Sequence, residues 1–316
     1  MQGEKINDKM FKMNKSFTLI EILVVIVIIG ILSAFIIVSM AGVSDKATIA
    51  KGQAFSSSLK NSLLLDLVSE WKLNGDSTDS WGSNNGTWSG PLAPNATANY
   101  WSASECISGQ CLHFDGVDDV VNCGNNSSLS MGTRDHTISI WARFDNASPP
   151  TEEETLIFCG GTVAPSDGYW IRRQIGGTGL YFCFNDGSET RLNGLLSANG
   201  TLVANNWYNI VVRMDRDASA QAFINGQIQI GYTVGLSSRQ GDVQNTYNLQ
   251  IGGYGASYTM AGKIDDVKIY HAVASSSQIQ ENYYSGLNKL FAHNEFSARE
   301  YQQRLGELKL NLANHE

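Results

Sequence analysis

The feature that most constrains this chain is a lone acid, Glu21, at the entrance of a run from Ile22 to Val43 that contains no charged side chain. At about 1.5 Å per residue such a run makes roughly 33 Å of helix, the thickness of a hydrocarbon core. The segment is therefore expected to sit in a bilayer. A carboxylate there is costly unless a cation neutralises it. Residues 1–16 are short and basic, with Lys5, Lys9, Lys12 and Lys15 against Glu4 and Asp8. Lysines on that side predict a cytoplasmic leader followed by one membrane pass. The rival reading is a secretory signal cut after Ser39-Met40-Ala41, leaving Gly42 as the new terminus. Such signals use a shorter apolar core, and this one would open on an acid.

Lys15-Ser16 followed by Phe17-Thr18-Leu19-Ile20-Glu21 resembles the processing site of type IV pilins and type II secretion pseudopilins. The resemblance implies that a prepilin peptidase cuts between Ser16 and Phe17 and methylates the new amine on Phe17. It further implies that Glu21 is the assembly carboxylate, paired with the terminal amine of a neighbouring subunit. Ser16 stands where that family usually has glycine, so a small residue is kept at the cut. Implied partners are other pilin or pseudopilin subunits, the peptidase, and the pilus or secretion assembly machinery. The implied location is the inner membrane, then an extracellular or periplasmic filament.

Beyond the apolar run, Ser44 to Leu67 mixes Asp45, Lys46, Lys51 and Lys60 with apolar residues at spacings of three and four, which predicts that the helix continues. Composition then changes. Only 16% of the chain is charged, 31 residues are Gly and 5 are Pro, which fits a soluble β-rich portion. A net charge of -8 with no basic stripe argues against nucleic-acid binding. In His136–Phe144 the residues Ile138, Ile140, Ala142 and Phe144 share one face of a strand. Asn225-Gly226 between Ala222-Phe223-Ile224 and Gln227–Ile230 predicts a hairpin with a two-residue turn.

Many short strands with frequent turns predict an antiparallel sandwich. Leu67–Leu73, Asp79-Ser80-Trp81-Gly82 and Asn85-Gly86-Thr87 are similar to the opening of laminin-G-like, concanavalin A-like jelly rolls. Leu112–Val121, Thr137–Trp141, Trp207–Val212, Phe223–Gly226 and Gly262–Tyr270 continue that resemblance in order. The expected class is mainly β. A leader (1–16) precedes a transmembrane and assembly α-helix (17–65), an antiparallel β-sandwich (66–285) and a helical tail (286–316). In the tail region Ser275-Ser276-Ser277 opens a helix carrying Ile279, Tyr283, Leu287 and Leu290. Ser297 with Glu300 then forms a capping-box pattern ahead of Tyr301, Leu305 and Leu308.

Two Asp-rich turns are the head's candidates for chemistry: Asp115, Asp118 and Asp119, and Asp265 with Asp266. Oxygen-only ligands suit one structural calcium ion, which related jelly rolls carry near such turns; the alternative is that Asp simply caps its own turn. Trp101, Trp170, Tyr254 and Tyr258 are candidate stacking platforms for a surface glycan, set against ordinary core packing. No enzyme is expected, since glycoside hydrolysis needs two facing carboxylates, and Glu152-Glu153-Glu154 reads as a solvated loop. Of the five Cys, Cys106 and Cys111 flank a short hairpin and suit a disulfide. Cys159 and Cys183 would pair if their strands are neighbours, leaving Cys123 over; five reduced thiols are the alternative. The leading function is a pilin-like or pseudopilin subunit, minor or tip, that displays its head for surface interaction or adhesion. An anchored lectin and an anchored carbohydrate-active enzyme are the rivals.

Overall fold

The computed structural model describes residues 19–30, 65–89, 101–102, 105–145, 152–161, 166–244, 246–254, 258–293 and 297–313, with side chains of the last helix described to Glu307. The chain divides into two units, Met1–Ser57 and Ser58–Glu316.

In the first unit residues 19–30 form helix α1, and its apolar side chains, among them Leu19, Ile20, Ile26 and Ile29, are all exposed. A helix that is apolar and uncovered on all sides apart from Glu21 needs an apolar surrounding. Among the described residues no helix is long and apolar enough to cross a membrane. The remainder of the run to Val43 lies outside the described residues.

The second unit is a two-layer antiparallel sandwich. One sheet contains β1 (Leu67–Trp71), β3 (Trp101–Ser102), β4 (Cys111–Asp115), β6 (His136–Phe144), β11 (Trp207–Met214), β12 (Ser219–Ile224), β13 (Gln227–Gly235) and β15 (Ala261–Tyr270). Their order is β13-β12-β11-β6-β15-β4-β3, with β1 also paired to β15. The other sheet contains β2 (Thr87–Ser89), β5 (Val120–Asn122), β7 (Glu154–Gly160), β8 (Asp167–Arg173), β9 (Leu180–Asp186), β10 (Leu192–Leu195) and β14 (Gln250–Ile251), in the order β10-β9-β8-β7-β14-β5-β2.

The period-two pattern decides what each layer buries. Across the seven-stranded sheet, Phe182, Ile171, Ile157, Ile251, Val121 and Trp88 stand opposite one another on successive strands, and all belong to the core. The next row, Asn193, Cys183, Trp170, Phe158, Gln250, Asn122 and Thr87, faces outward. In β6, Ile138, Ile140, Ala142 and Phe144 are in the core, as their spacing predicts. Asn225 and Gly226 take φ of 54° and 73°, the left-handed pair that a two-residue turn between β12 and β13 requires.

Helices α2 (Ser276–Ala292) and α3 (Ala298–Ala313) follow β15. Ser275 caps α2 in a capping box with Gln278, and the Ser297 hydroxyl accepts the Glu300 N–H at 3.1 Å. The first helix therefore begins inside the stretch assigned to the sandwich. Tyr283, Leu287 and Leu290 pack on Trp141 and Trp207, and Ile279 packs on Val211 and Phe223. Trp141 and Tyr283 stack at 5.8 Å. Gly286 makes this approach feasible: a Cβ there would stand 2.2 Å from the Trp141 ring. The outer face of the eight-stranded sheet is thus covered by the chain's own helices. The side chain of Leu308 lies outside the described residues.

Candidate functional site

Ser16 and Phe17 lie outside the described residues, and Glu21 is exposed on α1. In the head, the turn after β4 brings Asp115, Asp118 and Asp119 together, with one carboxylate oxygen from each within 4.8 Å of the others. Asp119 is fully buried, and its Oδ2 accepts the Asp115 N–H at 2.7 Å. Its Oδ1 and that of Asp118 are buried without a hydrogen-bond partner. Burial, reinforced by the charges of Asp115 and Asp118, pushes the Asp119 carboxyl up to about 6. Orphaned carboxylate oxygens at a shared point fit a hard cation, which seeks several oxygens at once.

Asp265 and Asp266 do not join them. On β15 it is Ala261 that faces Asp115, whereas Asp265 lies beyond Ile264, which faces Leu112. The Asp265 carboxylate accepts the N–H of Ile107 at 2.8 Å and of Ser108 at 3.3 Å, and burial with Asp266 alongside pushes it well up. Burial opposes ionisation of Asp266 too, but Lys268 at 3.1 Å and Lys289 at 3.7 Å hold it below the usual range. The five aspartates expected to share a metal are therefore two groups, of which the second is structural.

Cys106 and Cys111 form a disulfide with their Cα atoms 5.4 Å apart. The loop it closes is fastened to Asp265 and packs under α2 beside Trp141 and Trp207. Cys159 and Cys183 are not bonded, because β8 lies between their strands and their side chains point to opposite faces: Cys159 into the core, Cys183 outward. Cys123 is also buried and outside any disulfide. Glu154, read as a solvated loop, is in β7, buried and paired with Arg173 at 2.7 Å.

The stacking candidates are mostly engaged. Trp101 packs against the core. Trp170 is 6% exposed, stacked on Phe158 at 5.5 Å, with the guanidiniums of Arg172 and Arg191 at 4.9 and 4.8 Å from its ring. Tyr254 leans on Phe158 at 4.2 Å, and Tyr258 lies 4.8 Å from the Arg172 guanidinium. Arginine was the group missed from the sequence. Arg172 shares a strand face with Trp170 two residues away, which the alternation reveals, but Arg191 arrives from the loop before β10. A further unforeseen anchor is Asp79, whose carboxylate accepts backbone N–H groups of Glu70, Trp81, Gly82 and Asn84.

The family model described as the concanavalin A-like lectin/glucanases superfamily matches residues 115–280, and the prokaryotic N-terminal methylation motif matches residues 11–37. No curated protein matches the chain. Among solved structures, the binding domain of a paraclostridial mosquitocidal protein is similar at 16% identity and TM-score 0.54, over 72% of this chain and 53% of that one. The botulinum neurotoxin serotype D ligand-binding domain, in complex with N-acetylneuraminic acid, is similar at 15% identity and TM-score 0.53, over 72% and 53%. The serotype G binding domain follows at 14% and 0.52, over 70% and 51%. The chain spans about half the length of these toxin domains, and at such identities the likeness is one of fold. With just over half of its 316 residues matched, the chain belongs to the concanavalin A-like lectin/glucanase superfamily and carries a prokaryotic N-terminal methylation segment ahead of that domain.

Proposed function

We propose that this chain is a type IV pilin-like or pseudopilin subunit, minor or tip, that carries a jelly-roll head outward for adhesion to surface glycans. The observation that carries the reading is the order of its parts: a methylation motif over residues 11–37, spanning Ser16, Phe17 and Glu21, precedes a lectin-like sandwich in the sequence. A peptidase cuts before Phe17 and methylates its amine. The helix then waits in the inner membrane, and Glu21 aligns it with a neighbour's terminal amine as the filament grows. An anion next to a cation in an apolar medium fixes axial register strongly, because mispairing leaves both charges unsatisfied. The Glu21→Gln chain is expected to be processed but to fall at least tenfold in filament incorporation, read by immunoblot of sheared filaments. Unchanged incorporation contradicts the proposal.

The head is proposed to bind rather than to catalyse, with one structural calcium held by Asp115, Asp118 and Asp119. Support comes from the buried, unpartnered oxygens of Asp118 and Asp119. The ion would neutralise that turn and stiffen it. Glu153, Glu154 and Asp266, by contrast, are committed to ion pairs with Arg172, Arg173 and Lys268.

A further inference from the structure

Among the described residues no helix packs on the outer face of the seven-stranded sheet; both C-terminal helices pack on the other sheet. On that face the register places Leu195, Tyr181 and Arg172 in one row, beside the row of Cys183, Trp170 and Phe158. Tyr254 and Tyr258 stand over these rows, and Tyr258 is 39% exposed. Trp, Tyr and Arg are the side chains that dominate binding hot spots, since they offer rigid area together with hydrogen bonds. Aliphatic side chains, which a protein partner's core would need, are scarce here. A polar ligand with flat C–H faces suits the surface better than an apolar one.

Two guanidiniums, of Arg172 and Arg191, lie on this face over the Trp170 ring. Arg172 is neutralised by Glu153. Arg191 donates to the Gly161 carbonyl at 3.1 Å and lies on Trp170, and among the described residues it has no carboxylate partner. Arg172 is 5% exposed, and the Nε–H groups of both arginines are buried without an acceptor. A guanidinium held on an aromatic ring and lacking its counter-ion is a fork for a carboxylate.

We propose that this face binds a carboxylate-bearing sugar, with Arg191 receiving the carboxylate and the half-exposed tyrosines the ring. The inference deepens the adhesive reading of the head and is independent of how the stem assembles. The test uses the full chain in detergent, titrated calorimetrically with sialyllactose and with a hyaluronan hexasaccharide, against lactose and chitohexaose as neutral counterparts. Acidic sugars are expected to bind at least tenfold more tightly than neutral ones. Arg191→Gln should remove that preference at unchanged melting temperature, and Arg191→Lys should restore part of it. If neutral counterparts bind equally, or if Arg191→Gln keeps the preference, this site is wrong while the head remains a lectin. If no glycan binds, or an acidic peptide binds in place of one, the adhesive reading falls with it.

Discussion

The two outward faces of the sandwich obey the same alternation yet meet different fates. On the eight-stranded sheet the outward positions include Trp141, Trp207, Val211 and Phe223, and the chain folds back to cover them with Tyr283, Leu287, Leu290 and Ile279. On the seven-stranded sheet the outward positions include Tyr181, Arg172 and Asn193 around a small cluster of Phe158, Trp170 and Cys183, and no described helix covers them. A face of aliphatics and tryptophan costs too much in water to be left open. Arginine and tyrosine tolerate water at their tips while their stems shield the strand beneath. Residue type at outward positions, not strand periodicity, thus decides whether a sheet face is covered by the chain itself or left open.

Breaking the covered face should give the largest effect. Leu287 is fully buried, and Leu287→Ala should cost about 3 kcal/mol in a denaturant titration. Tyr181→Ser, at a half-buried position of the open face, should cost well under half of that. Equal costs would erase the distinction between the faces. Replacing both Cys106 and Cys111 by Ser should cost about 2 kcal/mol from loop entropy, with the loss concentrated in the seat of α2. Limited proteolysis should then release the C-terminal helices before the sandwich is cut.

A smaller effect belongs to the acidic turn. The Asp119 carboxyl binds its proton more tightly folded, at about 6, than unfolded, at the ordinary carboxylate value. In the metal-free chain this group therefore takes stability away as pH rises from about 4 to about 6, and the loss stays in place above that. Calcium should restore stability above pH 6, where the carboxylate is charged. Asp119→Asn should lack this fall, so that the wild-type minus variant difference drops between pH 4 and 6, and should abolish the calcium response. A calcium-independent melting temperature at pH 7.5 contradicts the metal proposal. Arg191→Gln should have the smallest effect on stability, within about 1 kcal/mol, because a half-buried side chain with one carbonyl hydrogen bond and one ring contact contributes little to the fold.

Much of this was legible in the sequence where chemistry is local. The alternation in β6, the Asn225-Gly226 turn and the Ser275 and Ser297 caps depend on neighbours within a few residues. So does the Cys106–Cys111 loop. What depended on strand order was not legible. Cys159 and Cys183 look like partners until β8 is seen between them. Asp265 and Asp266 look like ligands until β15 carries them past the acidic turn to Ile107 and Lys268. Glu154 looks solvated until Arg173 meets it on the adjacent strand. Trp170 looks available until Arg191 arrives from another loop.

If a processed stem carries this head into a filament, mass spectrometry of the N-terminal peptide of the mature, membrane-extracted protein should find a chain that starts at N-methylated Phe17 and retains Glu21. A chain starting at Gly42, or one still carrying residues 1–16, contradicts it.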